Sequence, residues 1–581
     1  MRLSFPEASY VETERGYRLT IGRVSLSQST FLLLAAIIVG LGGGFGAVLF
    51  RRLISGEGAF AFGWLGPHLA FLGHASVVPV LILGGIITTF VVERFAKEAK
   101  GHGVPEVMAA VALRGGIMRP RIIAVKSLAS ATCIGFGGSV GREGPIVQIG
   151  ATIGSVIGQI VRAPAPIVRT LVACGAAAGI SATFNAPIGG VFFANEVIIG
   201  DFAPRSFAVI VVASVVSAVI GRAFFGNHPS FNAAAFYLAS PWELVLYAIL
   251  GLVAAVWAFG FVRFLYILED GFERWKLHPL LKAAIAFGVV GLIGVWVPQV
   301  LGVGYGSMQS VLDGHVPARH ALMLAVLKPL ATSLTLGGGG SGGVFAPSLY
   351  TGAMLGDAFG RIVHDIFPAW TANAAAYGLV GMAAVFAAAA EAPITAIMIV
   401  FEMSDDYTII LPLMICTVIA TVLGRRLLGH TVYEMKLVRQ GIDWMTVRRP
   451  RLLTRVSVTV VERQPPIVAH AGETVADVAK RLHGSEEFVV PVSEERKFTG
   501  FVTATDIAAT LAAGSSSTLV REIARKSAAK LTRADTLEQA ATLMADLGTP
   551  LLPVVDPSDG TLLGIVTRRD VLDAYRNAAD P

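Results

Sequence analysis

Charge is scarce in this sequence. Asp, Glu, Lys and Arg supply 15% of its 581 residues against 54% hydrophobic, and the mean hydropathy is positive. A soluble chain of this size needs far more charged surface, so the composition calls for a bilayer as solvent. Cysteine is scarcer still: Cys133, Cys174 and Cys416 lie in apolar segments without metal-ligand spacing, which argues against a disulfide framework and a zinc or other metal site. No basic run is interleaved with aromatics, so the formal charge of +6 does not mark a nucleic-acid strip. The cations mark cytoplasmic loops and an anion-attracting vestibule instead. No nucleophile and base pair accompanies the glycine-rich turns, so they are not read as the oxyanion hole of an enzyme, and no cofactor is called for. Met1 to Gln28 lacks the apolar core and cleavage site of a signal peptide; its Arg2, Arg15, Arg18 and Arg23 place it on the cytoplasmic side.

What is present begins with apolar runs. Phe31 to Phe50, Val77 to Val92, Phe207 to Ile220, Leu244 to Val262 and Ala283 to Val297 approach or reach the roughly 20 residues that cross a hydrocarbon core. Other runs are broken by Gly or Pro, which lipid tolerates only where the chain is buried in protein or lines a watery cavity. The predicted fold is a polytopic α-helical membrane protein surrounded by membrane lipid, with partial helices around an aqueous site.

The chain is internally duplicated. At an offset of 202, Lys126 matches Lys328, Gly137 and Gly138 match Gly339 and Gly340, Ser139 matches Ser341, and Pro145 matches Pro347. Gly150, Gly154 and Gly158 match Gly352, Gly356 and Gly360 in the same way, and Ala186-Pro187-Ile188 with Glu196 is echoed 206 residues later by Ala392-Pro393-Ile394 with Glu402. Paired halves with Gly/Pro-interrupted segments are the pattern of transporters and channels whose ion site lies between the halves. The glycines spaced by four read as close helix packing. Beyond about Asp443 a mixed polar, β-branched sequence carries a second repeat, Phe488–Ile507 and Leu551–Val571, joined across Gly514 to Ser517. The predicted division is a segment 1–30, a transmembrane domain 31–441 with repeat cores 126–200 and 328–404, and two small α/β domains, 442–513 and 514–581.

An anion inside a membrane must exchange water for fixed donors, since an uncompensated charge costs tens of kcal/mol in the Born limit. One helix end, worth at most about 2 kcal/mol, is too weak alone; several converging N-termini with closely approachable glycine backbone suffice. Three turns qualify: Gly101-His102-Gly103-Val104-Pro105, Gly138 to Pro145, and Gly340 to Pro347, each with glycines ahead of a proline suited to a first helical turn. They make His102, Gly103, Gly141, Arg142 and Gly144 candidate anion ligands. Glu143 stands where the second copy has Phe345. A carboxylate among anion-seeking donors competes with the anion for them, which makes Glu143 the gate candidate. The alternative is a packing ion pair with Arg142 or Lys126.

These turns resemble those of the CLC chloride channels and chloride/proton antiporters. Gly141-Arg142-Glu143-Gly144-Pro145 matches that family's G-R-E-G-P, Gly343 to Pro347 its G-x-F-x-P, and Gly101 to Glu106 its G-S-G-I-P-E. The carboxyl-terminal pair resembles a tandem of CBS domains. The resemblance implies inverted repeats, a homodimer with one pore per subunit, and chloride as bound ion, held by the N–H groups of Val344 and Phe345, the phenol of Tyr433 and residue 102. It also implies a multi-pass protein of a bacterial inner membrane, with the CBS pair in the cytoplasm. For Tyr433 the alternative is an interfacial anchor.

Two departures from the family pattern matter. His102 replaces the serine usual in chloride-selective members, and an imidazole that takes up a proton makes the site sensitive to pH; alternatively the ring turns toward the vestibule. Val197 stands where the antiporters carry their inner proton-relay glutamate, with Glu196 beside it as the remaining carboxylate of that proton pathway. Valine there favours a gated channel; the alternative is a chloride/proton antiporter. A CBS-regulated divalent cation transporter is the distant alternative, and it would require several intramembrane carboxylates as oxygen ligands. Lys126 and Lys328 are read as raising the anion concentration at the pore mouths, or else as snorkelling to headgroups. Glu402 is read as a helix-end residue. In the CBS pair, Thr503 with Asp506 and Thr567 with Asp570 stand where such domains hold the ribose of an adenine nucleotide; the alternative is a tandem that only strengthens the dimer.

Overall fold

Where the apolar runs break, the chain turns back into the protein. In the computed structural model, which describes residues 8–13, 16–21, 24–231, 238–371, 374–442, 456–465, 467–485, 488–526 and 529–579, two units form, Met1–Ile442 and Asp443–Pro581. Among the described residues of the first, eight helical segments are long and apolar enough to cross a membrane: Gln28–His68, Ala70–Phe95, Ala165–Phe184, Ser206–Phe225, Glu243–Arg274, Pro279–Trp296, Ala318–Gly337 and Tyr407–Leu428. The five long runs evident in the sequence correspond to five of them. Ala165–Phe184 is buried along most of its length, its many alanines and glycines facing protein rather than lipid.

The amino-terminal segment is not simply a polar tail. Ala8–Thr13, Gly16–Ile21 and Val24–Ser27 form an antiparallel meander, with Ala8 opposite Ile21 and Arg18 opposite Ser27. Its aromatic and β-branched residues suit a pleated ladder, a signal that the arginines conceal in a reading by charge. Ser27 then accepts from Thr30 N–H and opens the first long helix.

The two copies of the repeat meet at equivalent residues. Gly141 N–H donates to Gly343 O, and Gly343 N–H to Gly141 O, both at 2.7 Å in an antiparallel bridge. Reciprocal antiparallel pairing of matched residues needs a local two-fold axis between them, so the copies are inverted. Other links obey the same symmetry. Ser130 Oγ meets Ser341 Oγ at 2.8 Å, while their counterparts Thr332 and Ser139 meet at 3.4 Å.

Glycine lets the paired helices of each copy touch backbone to backbone. A Cβ on Gly154 would lie 1.9 Å from Leu171 O, and one on its counterpart Gly356 would lie 2.0 Å from Tyr377 O. Further cross-links are carboxylates reaching into the opposite copy. Glu196 accepts from Ile394 N–H, Thr395 N–H and Thr395 Oγ1–H at 3.3, 2.8 and 2.6 Å, at the N-terminus of the helix Pro393–Ser404. Glu402 does the same for Pro187–Phe193, taking Ile188 N–H at 2.9 Å and Gly189 N–H at 2.7 Å. Each supplies an anionic cap where a helix start would otherwise leave its donors unmatched.

The second unit consists of two small α/β copies. The first pairs Val489–Glu494 with Lys497–Thr503, with Ala469–His470 parallel at the edge; the second pairs Leu551–Val555 with Leu562–Thr567. Helices Val475–Leu482 and Leu537–Leu547 open at Thr474 and Thr536, which cap them with their side chains. Phe498 and Phe501 of one copy pack with Leu551, Val555 and Ile565 of the other, closing one core between them.

Gly154→Ala is expected to abolish monodisperse protein in detergent, whereas Gly56→Ala, where a Cβ meets nothing within 4 Å, is expected to leave the yield unchanged; fluorescence-detected size exclusion of the pair checks this. Glu402→Gln and Glu196→Gln are each expected to lower the melting temperature in detergent by an amount equivalent to about 1 to 2 kcal/mol.

Candidate functional site

The Gly141–Gly343 junction is also where the broken helices start. Four open near it without a cap from the side chain of their own N-cap residue: Val104–Leu113, Glu143–Ile160, Tyr305–Leu312 and Phe345–Ile366. Uncapped starts leave N–H groups turned to whatever lies in front of them. Gly103, which precedes the first, has a φ of 84° that side chains rarely adopt, and a Cβ there would lie 2.6 Å from Gly144 O. A Cβ on Gly144 would lie 2.0 Å from His102 O. The turn around His102 thus packs directly on the turn around Glu143, and a Cβ on Gly144 would also lie 3.0 Å from Gly343 Cα.

Glu143 is the first residue of its helix and is 1% exposed. Its Oε1 accepts from the Tyr305 hydroxyl at 2.9 Å, and its Oε2 from Ala346 N–H at 3.3 Å. The carboxylate thereby occupies a donor at the start of the opposite copy's helix. Arg142 Nε lies 3.9 Å from Oε1, beyond hydrogen-bond reach, and the guanidinium stacks 4.6 Å from the centroid of the Tyr305 ring. Lys126 makes no contact with Glu143, its ammonium being bonded elsewhere. Gly141 leaves the carboxylate its space, since a Cβ there would be 2.3 Å from Oε2. On one side of Tyr305 and Arg142 opens a cavity of about 260 Å³, lined also by Arg51, Asn185 and His228.

Val344 is the N-cap of the helix Phe345–Ile366, and the Phe345 ring is fixed by Phe386 at 4.1 Å and Phe184 at 5.3 Å. Tyr433 is held from both sides. Val432 N–H donates to Ala389 O at 2.8 Å, the Tyr266 hydroxyl donates to Val432 O at 2.5 Å, and after it Lys436 and Arg439 pair with Glu269 and Asp270. The phenol is 1% exposed, so it is no interfacial anchor, and its oxygen takes no hydrogen bond among the described residues. His102 lies 6.2 Å from the Tyr266 ring, centroid to centroid, and both its buried ring nitrogens lack partners in the same sense. Leaving a buried polar group unmatched costs about 1 to 3 kcal/mol. Two such side chains, brought together through Tyr266, suit a ligand that accepts hydrogen bonds.

Several expectations from the sequence need correction. Lys126 and Lys328 line no open mouth. Both are fully buried, and they donate to equivalent carbonyls, Lys126 to Ala99 and Gly101 at 2.9 and 2.8 Å, Lys328 to Val300 and Gly302 at 2.9 and 2.6 Å. Each peptide unit points its N–H opposite to its C=O, so gripping Gly101 O turns His102 N–H away from the ammonium. Glu196, the carboxylate beside Val197, accepts hydrogen bonds from three donors of the opposite helix. Val197 beside it is buried and has no proton to give. Tyr305 went unnoticed in the sequence. The repeat held its signal, because Gly302-Val303-Gly304-Tyr305 follows Gly101-His102-Gly103-Val104 by 201 residues.

In the second unit, Thr503 with Asp506 closes a helix capping box, and Thr567 with Asp570 makes the same bonds. Arg525 binds Asp506 at 2.6 Å and Arg463 binds Asp570 at 3.3 Å. Burial raises the Asp506 carboxyl, but the Thr503 hydroxyl and Arg525 outweigh it and hold the group below the ordinary aspartate value.

The voltage gated chloride channel profile matches residues 84–425, and the CBS domain profile matches 458–513 and 520–577. A ClcB-like protein of Ralstonia nicotianae is 31% identical over 429 residues, covering 72% of this chain and 99% of its own length. The H(+)/Cl(-) exchange transporter ClcA of Vibrio campbellii is 31% identical over 428 residues, covering 72% and 92%. The crystal structure of a slow cyanobacterial Cl-/H+ antiporter superimposes with a TM-score of 0.66 at 25% identity, covering 71% of this chain and 98% of that one. With its inverted repeats, its broken helices and a CBS pair following them in sequence, the chain belongs to the voltage gated chloride channel family and is an integral multi-pass membrane protein of CLC-type chloride transport.

Proposed function

We propose that this protein passes chloride through a gated channel in which the Glu143 carboxylate is the gate, working as a homodimer with one pathway per chain. The observation that carries this is the position of Glu143, whose two oxygens take Ala346 N–H and the Tyr305 hydroxyl at the meeting point of the broken helices. A halide needs those donors in place of water, so carboxylate and anion exclude one another. Protonation, or displacement by the ion, releases the side chain. Val344 and Phe345 N–H, Tyr433 and His102 are the remaining ligands of the anion, with Gly103, Gly141, Arg142 and Gly144 shaping the approach. The CBS pair lies in the cytoplasm on this reading, beneath a bacterial inner membrane. An adenine nucleotide at Asp506 or Asp570 has first to displace Arg525 or Arg463.

Passive flow is favoured by the inner side of the site. Val197 holds the relay position, and the neighbouring carboxylate of Glu196 is spent on capping a helix. The second reading is chloride/proton exchange, which the names of the exchange transporters similar to this chain favour.

Proteoliposomes with a chloride gradient, recorded for voltage and pH together, separate the two. A reversal potential at the chloride equilibrium value, indifferent to a proton gradient, is the expected result; uphill proton movement driven by chloride would replace the channel by an exchanger. Glu143→Gln is expected to give chloride efflux that no longer depends on pH between 4 and 8, about the range a buried carboxylate covers, while a variant matching the parent would remove Glu143 from the gate. His102→Ser is expected to change the ranking of chloride, bromide and nitrate by several-fold in reversal potentials, and an unchanged ranking with an unchanged pH profile would take His102 out of the site.

A further inference from the structure

Glu143 is tied to the opposite copy by more than the backbone. Tyr305 opens the helix Tyr305–Leu312 directly after Gly304, whose φ is 93° and whose Cβ would stand 2.6 Å from the Tyr350 ring. Lys328 fixes this turn by gripping Val300 O and Gly302 O. The Tyr305 ring is then clamped between the Arg142 guanidinium at 4.6 Å and the Phe231 ring at 5.9 Å, which leaves the hydroxyl aimed at Glu143 Oε1. The matched positions of the other copy are Val104 and Phe345, and neither has a polar side-chain atom. The duplicated scaffold thus carries this polar tie only on the side where it also carries the carboxylate.

We propose that Tyr305 is the latch of the gate: its hydroxyl holds the Glu143 carboxylate in the closed position and so sets how acidic the medium must be before the pathway opens. The inference rests on Glu143 being the gate. A phenol donates to an ionised carboxylate and loses most of that interaction when the carboxyl takes a proton, so the bond stabilises the closed, charged form selectively. The other charged and titratable groups that face the pair are Arg142 beside it, Arg51 and His228 across the cavity, and Lys328 and Tyr433 from the opposite copy. None of them makes a hydrogen bond to Glu143 Oε1; Tyr305 does. Arg142, stacked on the phenol face, also couples the latch to the cavity, because an anion arriving at the guanidinium draws on the same charge that steadies the ring.

The test is chloride efflux from proteoliposomes as a function of pH for the parent, Tyr305→Phe, Glu143→Gln and the double variant. Phenylalanine keeps the ring between Arg142 and Phe231 and removes only the donor. The expected result is a half-activation point moved toward alkaline pH by about one unit, giving roughly tenfold faster efflux on the alkaline limb. The double variant is expected to match Glu143→Gln. A Tyr305→Phe profile superimposed on the parent would overturn the latch, as would a change that persists in full in the Glu143→Gln background. If Glu143→Gln itself keeps the parent profile, the gate reading fails first and the latch falls with it, an outcome distinct from the other two. Should Tyr305→Phe not purify as a monodisperse protein, 3-fluorotyrosine placed at 305 strengthens the donor without removing it. It is then expected to move half-activation toward acid, and no movement would overturn the proposal.

Discussion

Two hydrogen bonds between Gly141 and Gly343 set the geometry on which the membrane unit depends. They bring the starts of two helices together from opposite directions, so that both N-termini present donors to one neighbourhood. A bilayer offers no water to unmatched backbone, and such donors persist only where protein or an aqueous site encloses them. Side chains on either glycine would drive the turns apart. At Gly141 the added atom would meet the Glu143 carboxylate, and at Gly343 it would lie 2.8 Å from Gly144 N. The same contact that joins the copies therefore leaves room for the carboxylate between them.

The interior away from this junction is tightened so that the junction can remain open. Glu196 and Glu402 close helix starts in the opposite copy, Lys126 and Lys328 take the carbonyls of the turns, and the glycine seams at Gly150 and Gly352 remove the space that water would need. A buried ion pair or charged cap is not in itself a large source of stability, because desolvation offsets most of its attraction. Its effect here is directional. Each ammonium fixes which way a run of peptides faces, and each carboxylate fixes which helix meets which.

The duplication was legible because glycine and proline cannot be exchanged freely where backbones touch, so the 202-residue offset survives at Gly150, Gly154 and Pro145 although most neighbours differ. The uncapped helix starts and the place of Glu143 followed from the same pattern. What stayed hidden were contacts between segments far apart in sequence. The capping contact of Glu196 was hidden because its partners, Ile394 and Thr395, are 198 and 199 residues away. The lysines looked like surface charges for the same reason, since carbonyl acceptors leave no trace in residue type. Tyr305 was missed where the offset shifts from 202 to 201 across the connecting turns. The strands at the amino terminus were obscured by the arginines in and around them, of which Arg18 alone lies within a strand.

Symmetry separates scaffold from pathway. A side chain present in both copies and making the same bond in each is needed to build the inverted pair: Lys126 with Lys328, Glu196 with Glu402, and Ser130 and Ser139 with Thr332 and Ser341 all meet that description. An ion crossing a membrane needs something else, because a two-fold arrangement treats both faces alike and cannot alone hold one gate. Direction requires positions where the copies disagree. Glu143 opposes Phe345, Arg142 opposes Val344, Tyr305 opposes Val104 and His102 opposes Val303; three of the polar members belong to the turns around Glu143 and His102, and the fourth, Tyr305, reaches Glu143 from the other copy. Val197 stands opposite Met403, so at this position the copies agree in lacking a carboxylate. The acids that cap a helix in both halves belong to the scaffold, whereas Glu143, which has no acidic counterpart, takes Ala346 N–H and the Tyr305 hydroxyl at the junction of the copies.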